Sequence, residues 1–236
     1  MPLVFEYHSE VVRKHPGIVG GIVLGTGLVN GATPPDLLEV FRTEQAQVMR
    51  RCGGLSWGDI EALAAWRSTF RRFGVEPTRY RSAAEALLRR LVKTGSLPSI
   101  NKLVDIGNLV SIRYALSIAV IDRRRVHGTI MVRFADGGER FTHLGGDDSD
   151  PIVPGEVIFA DAAATVIARR WCWRQSAESA AVSDTTEILV TIESQHAGGA
   201  QDVTQAVTDL IELLDRYAGG SYNYAVLNAE RRSFTV

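Results

Sequence analysis

The chain has 236 residues, 45% of them hydrophobic and 22% charged, with a net charge of −1. That is enough for one large domain with its own core, and it excludes a disordered chain or a protein that binds polyanions through bulk charge. No run approaches the ~20 apolar residues of a membrane helix, the start MPLVFEYHSE lacks a signal-peptide pattern, and Cys52 and Cys172 make neither a disulfide framework nor a zinc pattern, so a cytoplasmic, reduced protein with no metal or other cofactor is expected.

Residues 3–30 read as strands, with short apolar runs (VVR, GIVGGIVLG) broken by glycines. Gly25-Thr26-Gly27 is no dinucleotide loop, because the sixth position is Asn30 and no acidic ribose partner follows at the right distance. Pro34 and Pro35 open a helix over 35–51, with Leu37, Leu38, Phe41, Val48 and Met49 as its apolar positions. Ser56 and Asp59 are spaced like a capping box ahead of Ile60, Leu63, Trp66, Phe70 and Phe73, and Gly74 ends that helix. Ser82 and Glu85 start the next one, with Leu87, Leu88, Leu91 and Val92 inward and Gly95 closing it. From Trp66 to Ser96 eight basic residues, Arg67, Arg71, Arg72, Arg79, Arg81, Arg89, Arg90 and Lys93, face only Glu76 and Glu85. A basic stretch on a neutral protein is either a phosphate-tracking surface or a solvated helical face.

The run Pro98–Val110 reads as a helix with Leu103, Val104, Gly107 and Val110 on an apolar face. Asn101, Asp105 and Asn108 fall at i, i+4 and i+7 and stack on another. Short polar side chains are poor interior helix formers, so the stripe is either the floor of a pocket or a network tying the helix to nearby loops.

Period-two patterning follows. Ile118–Ile121 and Thr129–Phe134 read as strands, and Asp136-Gly137-Gly138 as a hairpin turn returning through Arg140–Leu144. Asp147-Asp148-Ser149-Asp150 lacks the glycine and glutamate of a calcium loop and reads as solvated. Strands are expected at Glu156–Asp161, Val166–Trp173 and Glu187–Glu193. Asp202 then caps a helix carrying Val203, Val207, Leu210, Ile211 and Leu214 up to Gly219-Gly220, and the tail Ser221–Val236 adds a strand. Strands, helices, a β block and a final helix make an α+β fold.

Three arginines and two tryptophans crowd Arg169-Arg170-Trp171-Cys172-Trp173-Arg174-Gln175-Ser176. Strand alternation places Trp171 and Trp173 on one face and Arg170, Cys172 and Arg174 on the other. Such a strip serves stacking and anion recognition, or it is a core tryptophan pair with arginines laid across it. No nucleophile elbow is present, and the five histidines are scattered, so an enzyme here would position substrate and water without a covalent intermediate.

The run PSINKLVDIGNLVSIRYAL followed by SIAVID, with PGEVIFAD and RRWCWRQS…SDTTEILVTIE, resembles the B3/B4 editing module of the bacterial phenylalanyl-tRNA synthetase β subunit. Freestanding B3/B4 proteins are more similar still, sharing the S-x-x-E-A-L-L-R-R helix and the NKLVD-x-x-N and R-R-W-x-W-R-Q-S runs over about residues 10–230. The resemblance implies a three-layer α+β fold with a mixed β-sandwich and flanking helices. It implies one domain over 1–236: an N-terminal lobe of about 1–97 on a core of about 98–195, then a C-terminal helix and tail over 196–236. Asp105, Asn108 and Asp122 match the family's residues, and Thr186 matches its threonine before the last strand. Gly107 stands where the family has threonine, Ala119 where it has histidine and Ser117 where it has proline. The acidic pocket residue aligns with Glu178, or with Gln175 if the gap moves, and tryptophan and arginine replace a glycine pair.

The expectation is an aminoacyl-tRNA deacylase acting in trans. Asn108, Gln175 and Glu178 orient substrate and water, and Asn101, Asp105, Trp171, Trp173, Arg170, Arg174 and Thr186 bind substrate. Arg67, Arg71, Arg89 and Arg90 contact RNA. The implied partners are tRNA or aminoacyl-tRNA, or a synthetase. The alternatives are a non-catalytic module binding tRNA or a synthetase, and a hydrolase of free amino-acid esters or peptides.

Overall fold

The computed structural model describes residues 2–144 and 151–236. The acidic segment 147–150 lies outside the described residues. Among the described residues the elements run β1 (Leu3–Tyr7), α1 (Ser9–Lys14), β2 (Val19–Thr26), α2 (Pro35–Cys52), α3 (Glu61–Arg72), α4 (Ala83–Thr94), α5 (Lys102–Tyr114), β3 (Ser117–Asp122), β4 (Ile130–Phe134), β5 (Val157–Ala160), β6 (Val166–Arg169), β7 (Arg174–Gln175), β8 (Glu187–Ser194), α6 (Gly199–Ala218), β9 (Ser221–Leu227) and β10 (Ser233–Thr235).

Two sheets stack face to face. One has the order β3-β8-β2-β9 and is antiparallel throughout; the other has the order β10-β1-β4-β5-β6-β7, with β1 and β4 parallel. Alternation along β8 assigns its faces. Ile188, Val190 and Ile192 pack with Leu37, Leu88, Ile106 and Leu210 under the helices, while Leu189 packs with Phe5, Ile130 and Phe159 of the other sheet. The layers are therefore helices, sheet and sheet, an α+β architecture as expected. Strands β1 and β2 of the first thirty residues sit one in each sheet, so the N-terminal segment is woven into both.

Close approach needs small residues at two points. A Cβ on Gly107 would lie 2.6 Å from Val120 Cγ2, and one on Gly21 would collide with Val207, so α5 settles on β3 and α6 on β2 only because both positions are glycine. Helix α5 is buried on most sides: Asp105 is as inaccessible as Ile106 and Leu109. Of the expected polar face Asn101 and Asp105 are buried, and Asn108 alone stays partly exposed.

Several expectations are corrected. Ser9–Lys14 is a helix, not a strand, and buries Val11 and Val12 while Arg13 and Lys14 stay exposed. The Ser56/Asp59 pair closes a separate turn, with Ser56 N donating to Asp59 Oδ2 at 3.0 Å, and α3 starts at Glu61 without a side-chain cap. Ser82, by contrast, does cap α4, accepting from Glu85 N at 3.3 Å. No hairpin forms at 136–138. The Glu139 carboxylate accepts from Asp136 N and Gly137 N and binds Arg133 at 2.6 Å, and this turns the chain until Arg140 bridges Thr165, so β4 pairs with β5 instead. Asp202 lies inside the first turn of α6, whose N-cap is Gly198. The tail supplies two strands, β9 and β10.

The largest correction concerns 166–173. Strand β6 stops at Arg169 because Arg170 and Trp171 both take left-handed backbone angles (φ 44° and 63°). Such angles cost L-residues on the order of 1–2 kcal/mol each. They fold the chain into a tight β6–β7 hairpin and break the alternation, so Trp171 and Trp173 do not share a strand face.

Candidate active site

Alternation on the edge strand β3 and on β8 points Ser117 and Ala119, and Thr191 and Glu193, between the two sheets. Ser117 pairs directly with Glu193, and Ala119 with Thr191. The β6–β7 hairpin closes over this edge, held to α4 by Ala83 N donating to Cys172 O at 2.7 Å. Together these segments form a cavity of about 120 Å³, lined also by Phe159, Ala168 and the run Trp171–Gln175. Its walls are mainly apolar with a few convergent polar groups, as expected of a small-molecule site.

Glu193 forms the buried floor. Its Oε1 accepts from the Tyr7 hydroxyl at 2.7 Å and from Trp171 Nε1 at 3.0 Å. Burial raises its carboxyl from 4.5 to about 7, against the pull of the Trp171 and Tyr7 hydrogen bonds. Burial, then Glu193, pushes the Tyr7 phenol and the Cys172 thiol well up, so both stay protonated and the thiol is no nucleophile. Trp171 is fully buried, edge-on to Trp66 (centroids 5.4 Å) and His15 (5.3 Å).

At the rim, Trp173 stands edge-on to Tyr80 at 4.9 Å. The Arg170 guanidinium lies 3.8 Å from the Tyr80 ring centroid and 4.5 Å from that of Trp173, and Arg174 covers Trp173 at 4.8 Å. Beyond Ala83 and Ile118, which line both recesses, a more open groove of about 270 Å³ carries Asn108, Ser111 and Arg90. The structure thus gathers Trp171, Trp173, Arg174 and Gln175 around the cavity, with Arg170 stacked at its rim and Asn108 and Arg90 next door. Gln175 is fixed by its amide nitrogen, which donates to Val120 O (2.9 Å) and Ser179 O (3.2 Å).

Other expected residues lie elsewhere. Asn101 caps α5, accepting from Val104 N and Asn30 Nδ2 and donating to Ala181 O, each at 3.1 Å. Asp105 accepts from Thr33 Oγ1 (2.6 Å), Ser99 Oγ (2.5 Å) and Ile100 N (2.9 Å). Both side chains are spent on tying α5 to neighbouring loops. Glu178 is exposed and accepts from the Thr142 hydroxyl. Thr186 is exposed, and its neighbour Thr185 is the buried one, donating to Asp122 Oδ2 at 2.8 Å. Arg67 and Arg89 both reach Glu85 at 2.8 Å, whereas Arg71 and Arg90 are exposed.

Sequence reasoning gave no role to Glu193 or Tyr7, and noted Ser117 only as standing where the family has proline. A signal existed for the first: Thr191 and Glu193 are polar residues on alternate positions of an otherwise apolar strand. It also missed a Ser-His-Asp chain, in which Ser194 Oγ lies 2.6 Å from His196 Nδ1 and His196 Nε2 2.9 Å from Asp202 Oδ2. Ser194 is wholly buried under Gly199, so this chain locks the start of α6 and presents no accessible nucleophile. Among the described residues no group of three or more His, Cys, Asp or Glu is placed to hold a metal, and no helix is long and apolar enough to cross a membrane.

A family model described as "B3/4 domain" matches residues 65–219. Among solved structures the chain is similar to an N-terminal fragment of the phenylalanyl-tRNA synthetase β-subunit from Pyrococcus horikoshii. The identity is 13%, the coverage 94% of this chain and 53% of that chain, and the TM-score 0.47, so the chain spans about half the length of that fragment. The comparison with curated proteins gave no match. The matched segment runs from within α3 through α6, and takes in both recesses: the chain belongs to the B3/4 domain family.

Proposed function

We propose that the chain hydrolyses the ester of a mischarged aminoacyl-tRNA in trans, with the aminoacyl group in the cavity between the sheets and the terminal nucleotide over the Asn108–Arg90 groove. The observation that carries this reading is the junction of the two recesses at Ala83 and Ile118. A half-open, mainly apolar cavity lies beside a groove bearing an exposed arginine, a shape that suits an acyl chain on one side and a sugar-phosphate on the other. Gln175, anchored through its nitrogen, keeps its carbonyl oxygen as an acceptor for water. The Asn108 side chain makes no hydrogen bond among the described residues and is available to donate to the ester carbonyl. Arg71 and Arg90 contact the RNA backbone. Orientation and charge stabilisation, not a covalent intermediate, carry the rate.

The test is a panel of tRNAs charged with labelled amino acids, matched and mismatched. Selective ester loss is expected for mismatched pairs, slowed roughly 100-fold by Asn108→Ala and by Gln175→Ala, and little by Glu178→Ala. No loss with any tRNA, in a protein that still binds tRNA in a salt-dependent way, would replace this reading with a non-catalytic module. One observation favours a second reading, a hydrolase of free amino-acid esters. Glu85 engages two of the four arginines expected to meet RNA. On that reading, charge reversal at Arg71 and Arg90 leaves turnover unchanged.

A further inference from the structure

Glu193 is a buried carboxyl held from one side only. Both of its hydrogen bonds end on Oε1; Oε2 takes none, and no salt bridge reaches it, among the described residues. Directly opposite on β3, Ser117 is 2% exposed and lines the same cavity, and its Oγ meets no nitrogen or oxygen partner, with only the weakly hydrogen-bonding Cys172 thiol beside it. An unmet carboxylate oxygen and an unmet hydroxyl therefore face one small space from adjacent strands. Burying a charge without a partner costs several kcal/mol, and burying an unpaired hydroxyl costs more again. A ligand that brings a positive charge and several N–H donors relieves both.

We propose that the cavity binds a primary ammonium group, held between Glu193 Oε2 and Ser117 Oγ. A primary ammonium has three donors on one compact centre, which a guanidinium or a quaternary ammonium does not offer. The volume of about 120 Å³ admits that group with a short carbon chain; an apolar cavity of ~150 Å³ holds benzene. In the hydrolytic reading the group is the α-ammonium of the aminoacyl ester, and the inference rests on that reading only for which molecule carries it. The titratable and charged groups around Glu193 are Tyr7 from β1, Cys172 from the hairpin and Arg174 on the cavity lining. Tyr7 and Cys172 are neutral, so the ligand's charge acts on Glu193 directly. Below about pH 7 the carboxyl is protonated and must release its proton to solvent as the ammonium enters.

The experiment uses the full chain with its glutamate carboxyls labelled with carbon-13. The probes are n-propylammonium and its neutral counterpart 1-propanol. The expected result is saturable binding of n-propylammonium that lowers the Glu193 titration midpoint by about one pH unit, a tenfold preference for the bound anion. 1-Propanol should leave it unmoved. Glu193→Gln should weaken n-propylammonium binding at least tenfold, and Ser117→Ala, which removes one hydroxyl, severalfold. Equal binding of 1-propanol and n-propylammonium, or an unmoved Glu193 midpoint with n-propylammonium in excess, would overturn the proposal. The readout is binding, so it separates from ester hydrolysis. Ammonium binding without deacylation removes the enzyme reading alone, and deacylation without ammonium binding removes this one alone.

Discussion

Gly20 stands directly opposite Glu193 in the ladder between β2 and β8, and the Tyr7 phenol fills the space that the missing Gly20 side chain leaves. A Cβ at Gly20 would collide with the very oxygen that donates to Glu193. Gly20→Ala should therefore cost about 2–4 kcal/mol, combining overpacking with a lost hydrogen bond to a buried acid. Urea denaturation measures it. Adding Tyr7→Phe to Gly20→Ala should cost less than Tyr7→Phe costs alone, since the bond is already broken.

Stability should fall with rising pH through Glu193. Its carboxyl is raised from 4.5 to about 7, chiefly by burial, so the folded protein holds that proton more tightly than the unfolded chain does. The resulting stabilisation is whole below about pH 4.5 and is lost as pH climbs through about 7, on the order of 3 kcal/mol at ~1.4 kcal/mol per unit. Glu193→Gln should flatten this limb and be the more stable protein at pH 8. Denaturant midpoints at pH 4.5, 6 and 8 decide it.

His15 sets the opposite limb. Burial, then Arg72 and Lys14, lowers its imidazole from 6.5 to about 4. A group whose folded value is depressed contributes stability above its unfolded value and loses it as pH falls towards the folded one, here between 6.5 and about 4. His15→Phe keeps the edge-on packing against Trp171 and should remove this acid sensitivity. The comparison is best made in the Glu193→Gln background, where the other limb is silent.

Glu85 is buried and binds both Arg67 and Arg89. Glu85→Gln should cost about 1–3 kcal/mol of stability while releasing both guanidiniums. If this helical face meets RNA phosphates, tRNA binding should tighten severalfold at low salt and its salt dependence should steepen by up to about two units of slope, one for each freed arginine. Filter binding at graded salt that shows no change would place the RNA on another face.

Ala164 is exposed and holds φ 58°. Ala164→Gly should stabilise by about 1 kcal/mol, because glycine carries no Cβ penalty in the left-handed region. Calorimetry should show the melting point rise by roughly 2–4 °C.

What the sequence determined by itself was whatever local chemistry decides. Apolar spacing located α2, α4 and α6, the Ser82 cap and Gly95 bounded α4, and period-two runs located β3, β4, β5 and β8. The motif order around Asp105, Asn108 and Trp171 was enough to indicate the B3/4 family. Tertiary structure alone decided the rest. Trp171 turns into the core because two successive left-handed residues interrupt a strand, and alternation assumes regular backbone angles throughout. Asp105 is consumed by Thr33 and Ser99, and Arg67 by Glu85 eighteen residues away, so neither residue type reveals whether its polar group is available. Glu193 meets Tyr7 across 186 residues of chain. A carboxyl becomes an unusual acid only when the fold strips away its water, and that depends on both sheets closing over it.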